Sequence, residues 1–317
     1  MKRILLLPFF TALLLSCSSS RKNTAEQAIT KDFTAVPRPA SLTDSLQPVS
    51  LLDLPVNEQG ITILSEGFYE SEYKSYCLQP GTPDPGPHDA YLQAPLSGYR
   101  KDIVGSILRN SQQQPELPQH NIQLLLWSVV SGSDYNKLSP AVKRTATALL
   151  NPKQVFELQG GVMGMVKTVA YNMPVGTNNE MRRLFELGNS SYETFEQLAM
   201  RRGPSRIHRP DYAADQWYTQ PGGYFVRYFP SSYKKVKIQV YVPKGTLDSS
   251  GRNNGRYLLF DPVQLMAVPA NSDAQRLGIG APMVDIIRKV IIINQGTTPP
   301  APRTKQPRVA KQPKAAS

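Results

Sequence analysis

The sequence predicts an α+β protein: a mainly helical N-terminal domain followed by a β-rich C-terminal region, with a disordered tether and tail at the two ends. Three observations carry that expectation. Apolar residues recur at helical spacing between about residues 100 and 200. After about Gly203, β-branched and aromatic runs replace them. The ends are rich in Ser, Thr, Pro and basic residues and show no period at all.

Taken in order, residues 61–77 alternate loosely around Phe68, Tyr69, Tyr73 and Tyr76, which suits a strand or two. Residues 79–98 read as a Pro/Gly loop, from Pro80-Gly81 through Pro87 and beyond. Ile103, Val104, Ile107 and Leu108 make one apolar helical stripe. A second helix is expected from about Pro118 to Val130, with Pro near its start and Gly132 past its end. Ser139-Pro140 reads as an N-cap and first-turn pair opening a third helix through Leu150, which Asn151-Pro152 stops. A fourth is expected within 180–200, with Met181, Leu184, Phe185 and Leu187 on one side. In the second half, strands are expected at 224–229, 236–242, 257–260 and 264–268. The apolar run 286–293 is too short for periodicity to decide between strand and helix.

Composition excludes several classes. The 28 prolines and 21 glycines in 317 residues exclude a multi-span helical membrane protein and a long coiled coil. Two cysteines exclude a disulfide-stapled scaffold and a Cys-rich zinc module. Three scattered histidines, His88, His120 and His208, argue against a His-based metal site, so neither a metal nor any cofactor is expected. The net charge of +12 points to an anionic neighbour.

Met1-Lys2-Arg3 is a basic start, and Ile4 to Leu15 an apolar run shorter than the roughly 20 residues a span needs. The sequence Leu14-Leu15-Ser16-Cys17 resembles the bacterial lipobox, with a bulkier second position than usual. The resemblance implies lipidation of Cys17 after removal of the signal, and Ser18 then favours the outer membrane. The leaflet it faces stays open. The expected organisation is a signal peptide at 1–17, a flexible tether at 18–60, a helical domain at 61–200, a β-rich domain at 201–295 and a basic Pro-rich tail at 296–317. Arg303, Lys305, Arg308, Lys311 and Lys314 put much of the excess charge on that tail, which suits weak contact with peptidoglycan or anionic lipid. The body is then only mildly basic, so a nucleic-acid partner is not expected.

With Cys17 given to lipid, Cys77 is the only other cysteine, in an envelope compartment where a free thiol invites oxidation unless buried or bonded. Tyr76-Cys77, Thr82-Pro83, Ile107-Leu108-Arg109-Asn110-Ser111 and Ile122-Gln123 through Trp127 together resemble the thioester domains of bacterial surface adhesins. The resemblance covers about residues 66–133, and its motifs are short. It departs at Ile122, where that family has Thr or Ser before the glutamine. It implies an internal thioester formed with loss of ammonia, Cys77 supplying the sulfur and Gln123 the acyl group, which a lysine amine of a partner protein then attacks. Tyr76 and Trp127 would cover the bond. Read from the residues alone, Cys77 also suits a small core side chain and Gln123 an exposed or hydrogen-bonded helix residue, and an exposed-edge amide would add little to packing.

Other groups carry weaker signals. Asp84, His88 and Asp89 share a loop and suit turn formation better than metal or acid–base work. Gly160-Gly161-x-x-Gly164 lacks a phosphate-binding lysine and suits a bend. Arg201, Arg202, Arg206, His208 and Arg209 precede Trp217, Tyr218, Tyr224, Tyr228 and Tyr233, and Arg206 with Trp217 is a candidate glycan or polyanion contact. No nucleophile elbow or Ser–His pairing signals a hydrolase, so no turnover enzyme is expected. The expected function is a cell-surface or outer-membrane lipoprotein for adhesion, attaching to a surface or envelope protein partner, with single-turnover covalent chemistry at Cys77 and Gln123. The alternative is a non-catalytic accessory lipoprotein of an envelope secretion or outer-membrane assembly complex.

Overall fold

The structure, a computed structural model, describes residues 35–36, 38–42, 46–98, 100–160, 175–188, 191–253, 257–284 and 287–293. Its centre is a nine-stranded sheet with the order β1(Ala35–Val36), β8(Trp217–Thr219), β9(Phe225–Ser232), β10(Lys235–Val242), β4(Gly67–Cys77), β13(Leu277–Pro282), β12(Leu265–Pro269) and β6(Tyr91–Pro95). The ninth strand, β2(Val49–Ser50), pairs with β4 in parallel, and every other pairing in the sheet is antiparallel. The sheet curls toward closure: Tyr228 on β9, third in the order, donates its buried hydroxyl to Gln93 Oε1 on β6, the last strand, at 2.9 Å. Curling covers edges that would otherwise offer unpaired N–H and C=O groups. Two short pairs, β3(Thr62–Ile63) with β11(Leu259–Phe260) and β5(Thr82–Pro83) with β7(Met200–Arg201), lie outside it.

This overturns the expected division into a helical N-terminal domain and a β-rich C-terminal region. The six α-helices among the described residues fall between β6 and β7, and the sheet takes its strands from both halves of the chain. Two strands escaped the pattern for the same physical reason. β6 is buried at Tyr91, Leu92, Gln93 and Ala94, and β13 at every residue from Leu277 to Ala281, so neither alternates. β13 reads Leu-Gly-Ile-Gly-Ala-Pro, and its glycines are there for close packing. A Cβ on Gly278 would stand 2.8 Å from Leu108 Cδ1, and one on Gly280 2.6 Å from Tyr76 Cε2.

The helices are α1(Lys101–Asn110), α2(Gln119–Ser131), α3(Pro140–Leu149), α4(Pro152–Leu158), α5(Val175–Glu186) and α6(Tyr192–Ala199). Ser139 caps α3 by accepting from Val142 N–H, and Asn151 with Gln154 forms a capping box at α4. Asn151-Pro152 thus ends one helix and opens another. The fourth expected helix is two, α5 and α6. Within the stretch expected as a tether, Ala35–Val36 pairs with β8, and Leu42 packs with Phe68, Trp217 and Tyr241. The run 286–293 forms no regular element among its described residues; Val290 bridges Val56. The signal segment with Cys17, Gly161, Gly164 and the 296–317 tail lie outside the described residues, and no helix among those described is long and apolar enough to cross a membrane.

Candidate functional site

The site grows out of a missing partner on β4. β10 pairs with β4 from Gly67 to Lys74 and then turns away into the β9–β10 hairpin. Ser75 and Cys77 are left with N–H and C=O groups on that side, and α2 supplies what the strand no longer does. Ser75 N–H reaches Lys234 O at 2.9 Å, and Gln119 Nε2 donates to Ser75 O at 3.2 Å and Lys234 O at 2.8 Å. Two residues on, Cys77 N–H donates to Gln123 Oε1 at 2.8 Å and Gln123 Nε2 donates to Cys77 O at 2.9 Å. The spacing works because two strand residues advance about 6.6 Å and four helical residues about 6 Å. Two glutamine side chains one turn apart therefore match alternate backbone groups of one strand.

Both partners are enclosed. Cys77 is wholly buried and Gln123 is 1% exposed, so of the two readings of Gln123 the exposed-edge amide is corrected and the hydrogen-bonded helix residue is the one found. α2 is buried continuously from Ile122 to Ser131, as its Ile-Gln-Leu-Leu-Leu-Trp sequence and its Gly132 left-handed C-cap (φ 68°) allow. Burial pushes the Cys77 thiol from its ordinary 9.0 up to about 12, so it is a neutral thiol at physiological pH. Trp127 and the Gln79 N–H act against this shift. The Trp127 indole N–H closes no hydrogen bond of normal geometry, so its effect on the thiol is that of a nearby dipole rather than a full bond.

A cavity of about 850 Å³ opens beside the pair, and Gln123 lines it together with Gln119, His120, Tyr192, Tyr233 and Lys234. Three of its lining residues, Tyr192, Tyr233 and Lys234, belong to a relay that the sequence does not announce. Trp127 stacks on Tyr192 with centroids 5.7 Å apart. The Tyr192 and Tyr233 hydroxyls lie 2.5 Å apart, Tyr233 donates to Glu196 Oε1, and Lys234 Nζ pairs with the same oxygen at 2.8 Å. Burial raises both tyrosine hydroxyls well above their usual range, so they are protonated donors. The relay's members come from α6 and from the β9–β10 hairpin, which sequence distance hides. The usable signal was Gln119 and Gln123 at i, i+4 on one helix.

The other candidates fall elsewhere. Tyr76 is buried against Gly280, and strand alternation turns it to the face opposite Cys77. Trp217 is buried in the Leu42–Phe68–Tyr241 cluster, and the cation over its ring at 4.3 Å is Arg227, not Arg206. Arg206 is exposed, and its backbone N–H bonds Asp273. Asp84 accepts from Tyr233 N–H, and Asp89 accepts from Gly86 N–H and Ser205 Oγ, so both acids are engaged in holding loops. No known family, curated protein or solved structure matches the chain.

Proposed function

We propose that the chain is an envelope lipoprotein, anchored through Cys17, that attaches to a partner protein through an internal thioester between Cys77 and Gln123. One observation supports this reading above the others: the Gln123 carboxamide is held on the backbone N–H and C=O of Cys77, buried, at the wall of an open cavity. Bond formation is a balanced exchange. Cys77 Sγ adds to Gln123 Cδ, the Cδ–Nε2 bond breaks, and the thiol proton leaves with the nitrogen as ammonia. The Cys77 N–H already donates to Oε1, where negative charge develops as sulfur adds. The bond from Nε2 to Cys77 O must be given up, and that leaves a buried carbonyl unpaired at a cost of about 1–3 kcal/mol. The neutral thiol needs a path for its proton, and the Tyr192 and Tyr233 hydroxyls, which lead on to Glu196, line the same cavity as Gln123. An amine entering the cavity would then take the acyl group, freeing the thiol.

A specific observation also favours the accessory-lipoprotein reading. The Gln123 amide is satisfied by Cys77 N–H and C=O together, an arrangement that is complete as a structural clamp with no bond formed. Methylamine separates the two. Under the thioester reading, methylamine converts Gln123 to its methylamide and releases a thiol at Cys77 that alkylating reagents then label; a clamp gives no adduct at Gln123. Anchoring is tested by Cys17→Ala, which should move the protein from the membrane fraction to the soluble one. Equal membrane retention would contradict the lipid anchor.

A further inference from the structure

A second cavity, of about 450 Å³, has no part in the thioester reading, and its polar groups are unfinished. It is lined by Tyr73 of β4, Arg109, Asp261 and Arg288, with an apolar wall that includes Val284 and Ile287. Arg109 and Asp261 pair with one another, so their charges cancel. Arg288 is different. Its Nη2 donates to Leu51 O at 3.1 Å, Leu54 O at 3.1 Å and Thr62 Oγ1 at 3.0 Å, all neutral acceptors. No ion pair joins it to a carboxylate among the described residues. Its Nε–H is buried and has no partner. Tyr73 is 2% exposed, and its hydroxyl too is buried with no partner. The two side chains are close enough to feel one another, since the guanidinium opposes the rise that burial imposes on the phenol.

Two orphaned donors and one uncompensated cation in one cavity are costly. A carboxylate removes all three costs together: it accepts from both donors and balances the single charge. The neighbouring Arg109–Asp261 pair leaves no surplus for a dianion such as phosphate. We infer that this cavity binds a monocarboxylate with an apolar body, the Tyr73 hydroxyl and the Arg288 guanidinium holding the carboxylate and the apolar wall holding the rest. Small organic acids and the C-terminus of a peptide share that chemistry. The two donors lie beneath the cavity surface, so entry takes a side-chain adjustment at the rim, where Val284 is 62% exposed and Ile287 fully so.

The test is calorimetric titration of the chain with hexanoate, with hexanol, and with a short apolar-ended peptide carrying either a free or an amidated C-terminus. Hexanoate or the free peptide should bind, and hexanol and the amidated peptide at least roughly tenfold more weakly, because the charged hydrogen bonds are lost. Tighter binding of the peptide would identify a protein terminus as the occupant, and tighter binding of hexanoate a small acid. Tyr73→Phe should weaken binding several-fold without lowering the melting temperature, since the hydroxyl it removes bonds nothing in the protein. Failure of both acids to bind, equal binding of hexanol, or unchanged binding by a folded Tyr73→Phe variant would overturn the inference.

Discussion

Cys77 and Tyr73 stand four residues apart on the same strand, on the same face, and their surroundings are opposites. Around Cys77 the Gln123 amide and the strand's own N–H and C=O satisfy one another, and the helix that carries the amide is buried along its length. Around Tyr73 the hydroxyl and the Arg288 Nε–H are buried with nothing to bond. The first environment is complete as a fold, so any chemistry there must exchange bonds already made. The second is incomplete as a fold, so any ligand there makes bonds the protein cannot. Mutations should therefore be expensive at the first and cheap at the second.

The largest expected effect is Trp127→Ala. It empties a wholly buried ring stacked on Tyr192 and should cost about 3–5 kcal/mol by chemical denaturation. A loss below about 1 kcal/mol would mean that α2 is not seated on the strand end. Gln123→Ala comes next. It leaves Cys77 N–H and C=O buried and unpaired, at about 1–3 kcal/mol for each group that water cannot reach. A neutral result would break the contrast at its root. Gly280→Ala should cost about 1–3 kcal/mol, because its Cβ would stand 2.6 Å from the Tyr76 ring. The sharpest comparison uses one chemical change at two tyrosines. Tyr228→Phe abandons Gln93 Oε1 in the core and should cost about 1 kcal/mol or more, while Tyr73→Phe should be neutral or slightly stabilising. Equal losses would show that the Tyr73 hydroxyl has a partner after all.

The first environment also predicts a pH dependence. In Gln123→Ala the thiol is free, and burial holds it near 12 in the folded state against 9.0 ordinarily. Folding then favours the neutral thiol. Its contribution is full below pH 9, shrinks as the unfolded chain ionises above that, and is gone beyond about pH 12. The Gln123→Ala/Cys77→Ala double variant should lose less stability over that interval. Parallel curves would place the thiol in water.

What was legible beforehand follows from where the signals were local. Pro118 and Gly132 bracket α2 to within a residue, Ser139-Pro140 opens α3, and the alternating Val236–Val242 run lies within β10. Burial on both faces erased the alternation of β6 and β13, and with it the evidence that the sheet draws on both halves of the chain. That the Gln123 amide meets the Cys77 backbone was not legible from spacing, because 46 positions separate them and no spacing rule joins a strand end to a helix. The Tyr192–Tyr233–Glu196 relay and the Tyr73–Arg288 pair were not legible at all. Each joins residues far apart in sequence, and each is defined by burial, which single residue types do not announce.

The most direct test of the thioester is the intact mass of residues 18–317 purified at neutral pH. The account predicts a chain lighter than its sequence by one ammonia and, after methylamine treatment, heavier than its sequence by one methylene, as the Gln123 methylamide requires. An unshifted mass, with a Cys77 thiol that labels only on unfolding, would contradict it and leave Gln123 as a clamp.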